Sequence, residues 1–123
     1  MSITDEQIKD LRGNKINNGD LCIRTSFADK KSVLVYCIVF EDRAFYVRPN
    51  WRTSTDDLLE DIMHEDKPIT SCKFEQYQIV KLNVLGANES VIAEKLLHKL
   101  ANFEGKGNFS HKYVKMAQEF ISK

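Results

Sequence analysis

One run of eight residues limits the fold more than any other stretch. Residues 33–40, VLVYCIVF, are aliphatic or aromatic apart from the thiol of Cys37, without a charged or amide side chain among them. The run is far short of the roughly 20 apolar residues that a membrane helix requires. Side chains branched at Cβ lose rotamer freedom in a helix and pack well on a pleated surface, so the run reads as a strand. A strand with no wet side must be covered on both faces, which predicts the central strand of a sheet. The charged triplet Glu41-Asp42-Arg43 then predicts a tight return, with residues 44–48 (AFYVR) as the antiparallel partner. Pro49 removes a ladder donor and ends that partner.

Residues 21–27 alternate Leu21, Ile23, Thr25 and Phe27 against Cys22, Arg24 and Ser26, the period of a strand with one wet face. With the two strands that follow, this predicts a three-stranded antiparallel meander. At the N-terminus, Thr4 and Gln7 have capping-box spacing and Ile3 and Ile8 that of a hydrophobic staple, predicting a helix over residues 5–12 with Gly13 as its stop. Ser54-Thr55-Asp56-Asp57 predicts a second helix running to about His64, with Leu58, Leu59, Ile62 and Met63 on its apolar side. Residues 72–84 read as one further strand with an irregularity near Gln76. Residues 88–104 carry Ile92, Ala93, Leu96, Leu97, Leu100 and Phe103 at helical spacing, and Ser110 caps a last helix with Tyr113, Val114, Ala117, Phe120 and Ile121 in one stripe. The expectation is a single α+β domain over residues 1–123, in the order α-β-β-β-α-β-α-α. A three- to four-stranded antiparallel sheet carries helices on one side and ends in a C-terminal helical hairpin.

Charge and cysteine content narrow the function classes. Eighteen basic side chains balance eighteen acidic ones, so no global field draws the chain to nucleic acid or to an anionic membrane. The N-terminus lacks the basic and apolar regions of an export signal. Cys22, Cys37 and Cys72 are odd in number and widely spaced, which predicts reduced thiols in a cytoplasmic protein, with neither a disulfide framework nor a zinc site. The sequons at Asn88 and Asn108 are then accidental, because glycosylation follows export.

No familiar chemistry is spelled out. His64, His98 and His111 have no second ligand at metal spacing, Gly105-Lys106-Gly107 follows a helix and is too short for a phosphate loop, and no cysteine and histidine share a local catalytic motif. No metal, cofactor or catalytic residue is predicted. Asp56, Asp57, Glu60 and Asp61 lack the oxygen spacing of a calcium loop and read as a solvated acidic face, a secondary surface for a basic partner.

The remaining candidate is Arg43, Tyr46, Arg48, Trp51 and Arg52, with Phe45 beside them. Arginine next to aromatic rings suits both protein hot spots and single-stranded nucleic acid. On a strand, Tyr46 and Arg48 share one face while Phe45 and Val47 share the other, so only one set faces outward. In the competing reading these rings fill the core and the arginines border it. The resulting expectation is a non-enzymatic binding module, a small regulatory or inhibitory accessory protein of the bacteriophage type acting on a protein partner, with no membrane contact. Homodimer formation is a further expectation, because an exposed meander edge invites pairing. Two alternatives stand beside this reading. One is a nucleic-acid binder using the same arginines and rings; the other is a small-ligand binder or enzyme with a pocket between the sheet and the C-terminal helices.

Overall fold

The computed structural model describes residues 8–28, 31–47, 68–105 and 107–122, with the backbone alone described at 25–28 and 31–34. The apolar run lies in β2 (Lys31–Phe40), which turns at Glu41-Asp42 into β3 (Arg43–Val47). Glu41 takes a positive φ of 53°, as the first central residue of the tight hairpin requires. On its other side β2 pairs, in all but Phe40, with β1 (Asp20–Ala28), from Asp20↔Val39 to Ala28↔Lys31. Two short strands complete the sheet, β4 (Ile69–Lys73) beside β3 and β5 (Ile79–Lys81) beside β1. The order is β4-β3-β2-β1-β5 and every pairing is antiparallel. Two helices follow, α1 (Ala87–Ala101) and the C-terminal α2 (His111–Ser122). The fold is therefore α+β with the apolar run at its centre.

Four expectations are corrected. Residues 72–84 are not one strand: the chain folds into a 3₁₀ turn at Gln76–Gln78, and the pieces before and after it join opposite edges of the sheet. The meander leaves one open edge on β3 and another on β1, and this stretch serves both. Among the described residues the sheet consequently has five strands, and β3 is no edge. Nor do residues 8–12 continue a helix. Lys9 bridges Lys15 across a turn containing Gly13 at φ +83°, because the Asp10 carboxylate captures the backbone N–H groups of Arg12 (2.9 Å) and Asn14 (2.8 Å). Finally, β1 has no wet face where it enters the sheet, since Leu21 and Cys22 are both buried. The expected helix over 54–64 lies outside the described residues.

Each face of the sheet has its own core. Phe40, Phe45, Val47 and Ile69 point to the helices and meet Ile92, Leu96 and Leu100 of α1 and Tyr113, Val114 and Ala117 of α2. The N-terminus of α2 is fastened to the β2–β3 turn, where Tyr113 donates a 2.8 Å hydrogen bond to Asp42 and Lys112 pairs with Glu41 at 3.2 Å. Burial pushes the Tyr113 phenol up to about 12, and the Asp42 carboxylate adds to the shift. On the opposite face Cys22, Cys37, Val39, Ala44 and Ile79 form a second core, closed over by Ile8, Ile16 and Phe74.

This second face is concave, which follows from the length of its connector. Residues 74–78 alone join β4 to β5. Extended chain covers at most ~3.5 Å per residue and a 3₁₀ turn about 2 Å, so the connector reaches roughly 17 Å. Four inter-strand gaps in a flat sheet would span about 19 Å. The sheet must curl around the face that the connector crosses.

Backbone groups on both outer edges are taken by partners from outside the sheet. Along β5, the Asp10 carboxylate accepts the Lys81 N–H at 2.8 Å and the Leu11 N–H reaches the Ile79 carbonyl at 2.9 Å. Along β4, the Asn108 carboxamide accepts the Ser71 N–H at 3.1 Å and donates to the Ser71 carbonyl at 2.6 Å. Backbone donors left open at an edge invite a second chain. At these positions they are already taken.

Candidate binding face on the concave side of the sheet

The hairpin separates the two described members of the predicted site. Arg43 points to the helix side with Phe45 and Val47. There its Nε donates to Ser71 Oγ at 3.0 Å and its Nη2 to the Asn108 carbonyl at 3.3 Å. These bonds tie β3, β4 and the loop before α2 together, which is a structural duty. Tyr46 alternates to the concave side and is half-buried beside the second core. Arg48, Trp51, Arg52, Asp56, Asp57, Glu60 and Asp61 lie outside the described residues.

What Tyr46 meets is Arg24, a residue the sequence reading left on a wet face. Register explains the encounter. Arg24 follows Cys22 by two positions on β1, so it shares the concave face, with Val35 on one side and Ile79 on the other. From there its side chain crosses the curled sheet until the guanidinium carbon lies 5.4 Å from the centroid of the Tyr46 ring. At this distance a guanidinium is attracted to the ring quadrupole. Its Nε is buried and has no hydrogen-bond acceptor. Buried donors in folded proteins are nearly always paired, so the orphan needs an explanation.

The thiols on this face are quiet. Burial pushes Cys37 well above its ordinary range and Cys72 upward as well, with the positive charge of Arg24 offsetting part of each shift. Cys22 is raised to about 12, by burial first and then by the carboxylates of Asp20 and Asp10. A thiol held protonated at neutral pH is a poor nucleophile and a poor metal ligand. Among the described residues no three histidine, cysteine or acidic side chains are grouped to hold a metal ion. Arg24 and Tyr46 are each half-buried beside a fully buried apolar core, and the braced guanidinium is equipped to receive an acceptor group. The alternation of residues 21–27 already placed Arg24 beside Cys22; only the covering of that face by the connector and the N-terminal loop was hidden.

Among the described residues no helix is long and apolar enough to cross a membrane. No family model, no curated protein and no solved structure matches the chain, so the reading of this face rests on its geometry.

Proposed function

We propose that the chain is a non-enzymatic binding module, a small cytoplasmic regulatory or inhibitory protein that engages a protein partner through the concave face of its sheet. The observation that carries this reading is the Arg24–Tyr46 pair, in which an aromatic ring braces a guanidinium whose Nε has no acceptor. Tyrosine and arginine at the centre of a desolvated surface are the side chains that most often dominate protein–protein affinity. The competing expectation of sheet-edge self-association gains nothing from the fold, since Asp10 and Asn108 occupy backbone groups on the two outer edges.

The test is affinity capture from the native host with the wild-type chain and Tyr46→Ala in parallel. A partner retained by the first and lost by the second is the expected result. Identical capture by both chains removes this face from the interaction. Retention on single-stranded oligonucleotides that falls steeply with salt and disappears in Arg24→Gln would instead make the ring and guanidinium a nucleic-acid surface.

A further inference from the structure

We infer that the outward side of the N-terminal loop, where Lys9, Arg12 and Lys15 stand with Leu11 and Tyr77 beside them, docks an acidic stretch of a partner polypeptide. The inference goes beyond the Arg24–Tyr46 reading and does not depend on it.

The loop is a small hairpin, and its hydrogen bonds fix the side that each residue takes. Ile16 donates to the Ile8 carbonyl and Asp10 to the Asn14 carbonyl, both at 2.9 Å, so the bridged pair Lys9↔Lys15 between them is of the close, non-hydrogen-bonded kind. Asp10 and Ile16 turn inward and are buried, so by parity Lys9 and Lys15 turn outward, and both are exposed. Arg12, in the turn, is exposed as well. Asp10 is the only acid of residues 8–16, so the loop withdraws its negative charge and displays its positive ones.

Like charges directly opposed on paired strands destabilise the pair. Among the described residues no carboxylate forms an ion pair with Lys9, Arg12 or Lys15, and Asp20 is already held by Lys81 at 3.1 Å. The loop is nevertheless firmly fixed, because the Asp10 carboxylate takes the backbone N–H groups of Arg12, Asn14 and Lys81. Opposed cations kept in place on an exposed loop, with their counter-charge absent, call for a partner of opposite sign.

The apolar neighbours decide which kind of partner. The Leu11 N–H reaches the Ile79 carbonyl at 2.9 Å and the Gln76 side-chain amide donates to the Asp10 carbonyl at 3.3 Å, which sets the loop against the 3₁₀ turn. Leu11 is 51% and Tyr77 79% exposed. A polypeptide offers carboxylates and apolar side chains within one segment. A phosphodiester chain makes no comparable use of a leucine, and its charge at every step is repelled by Glu75, which is exposed in the same connector as Tyr77.

The experiment follows backbone amide resonances of the full chain during titration with three probes: a peptide of repeating Glu-Leu-Glu, the same peptide with glutamine for glutamate, and an oligothymidylate of equal charge. The expected result is saturating shifts at residues 9–15 and at Tyr77 with the acidic peptide alone, at concentrations that rise with added salt. Lys9→Glu should weaken this binding at least about tenfold. Its urea unfolding midpoint should be no lower than wild type, because a glutamate facing Lys15 turns a repulsion into an attraction. Lys9→Gln should fall between the two chains in both measurements.

Equal affinity for the glutamate and glutamine peptides overturns the inference, as do shifts that stay linear and unchanged affinity in Lys9→Glu. Tighter binding of the oligothymidylate overturns it in favour of a nucleic-acid surface. A midpoint that drops in Lys9→Glu counts against it too, since the opposed lysines would then be satisfied within the fold.

Discussion

Asp10 is buried near the concave face and Arg24 buries its Nε there, and their treatment differs. Asp10 is fully buried, yet its carboxylate accepts the backbone N–H groups of Arg12, Asn14 and Lys81 and a 3.3 Å bond from the Asn14 side-chain amide. Burial raises its pKa, but these donors together outweigh it and hold the group below its ordinary value. A carboxyl depressed below its unfolded value of about 3.9 contributes stability that is fully present above that pH and is lost as pH falls through the folded value. Asp10→Asn should therefore lower stability by about 2 kcal/mol at neutral pH, by setting an amide donor against amide donors. It should also flatten the acid limb of a urea-midpoint profile below about pH 4 relative to wild type. Arg24 has no such provision at Nε. Arg24→Met keeps the length of the stem, removes the orphan donor, and should raise the unbound chain's stability by about 1 kcal/mol in equilibrium unfolding. A loss of stability would show that the guanidinium is satisfied within the fold. At this scale the sequence was only partly readable: parity gave Tyr46 and Arg24 their faces, while Asp10 looked like an ordinary helix residue because its partners at 14 and 81 could not be foreseen.

At the level of elements, the readable features were those set by local pattern. The unbroken run became the central strand, the charged triplet became a hairpin, and the three-and-four spacing of Ile92, Leu96 and Leu100 became a helix with those residues buried. What escaped were choices made between distant segments. Residues 72–84 have apolar content suited to a strand anywhere along their length, and the break at Gln76–Gln78 is decided by two vacant edges on opposite sides of the sheet. The closing of β4 by Asn108 was equally hidden, because a carboxamide standing in for a strand has no signature at a separation of 37 residues. Its contribution is testable. Asn108→Ala deprives the Ser71 N–H, carbonyl and hydroxyl of a partner, at a cost of about 2 kcal/mol for buried groups. Hydrogen exchange should show the Ser71 amide and its β4 neighbours losing protection while α1 retains its own. Uniform loss across sheet and helices would mean that Asn108 supports the fold as a whole.

The described residues form three layers: a helix pair, a curled sheet, and a cover of connector and N-terminal loop on the concave face. The cover is thin, and Asp10 is its principal fastening to β5. The three thiols report on it from beneath. Cys22 and Cys37 are fully buried and directly opposed on β1 and β2, whereas Cys72 is only half-buried on β4. Since burial holds all three thiols protonated, a disulfide reagent must wait for an opening that both exposes the sulfur and restores its acidity. Under native conditions Cys72 should be modified first. Cys22 and Cys37 should follow together, at a rate that rises with urea as the open population does. Loosening the cover with Asp10→Asn should speed Cys22 and Cys37 by at least about tenfold, the factor that a 1.4 kcal/mol loss of local stability produces, while leaving Cys72 nearly unchanged. If all three accelerate equally, the cover and the sheet open as one unit. If Cys37 reacts as fast as Cys72 in the wild type, the concave core is not sealed, and the apolar surroundings assigned to Arg24 fail with it.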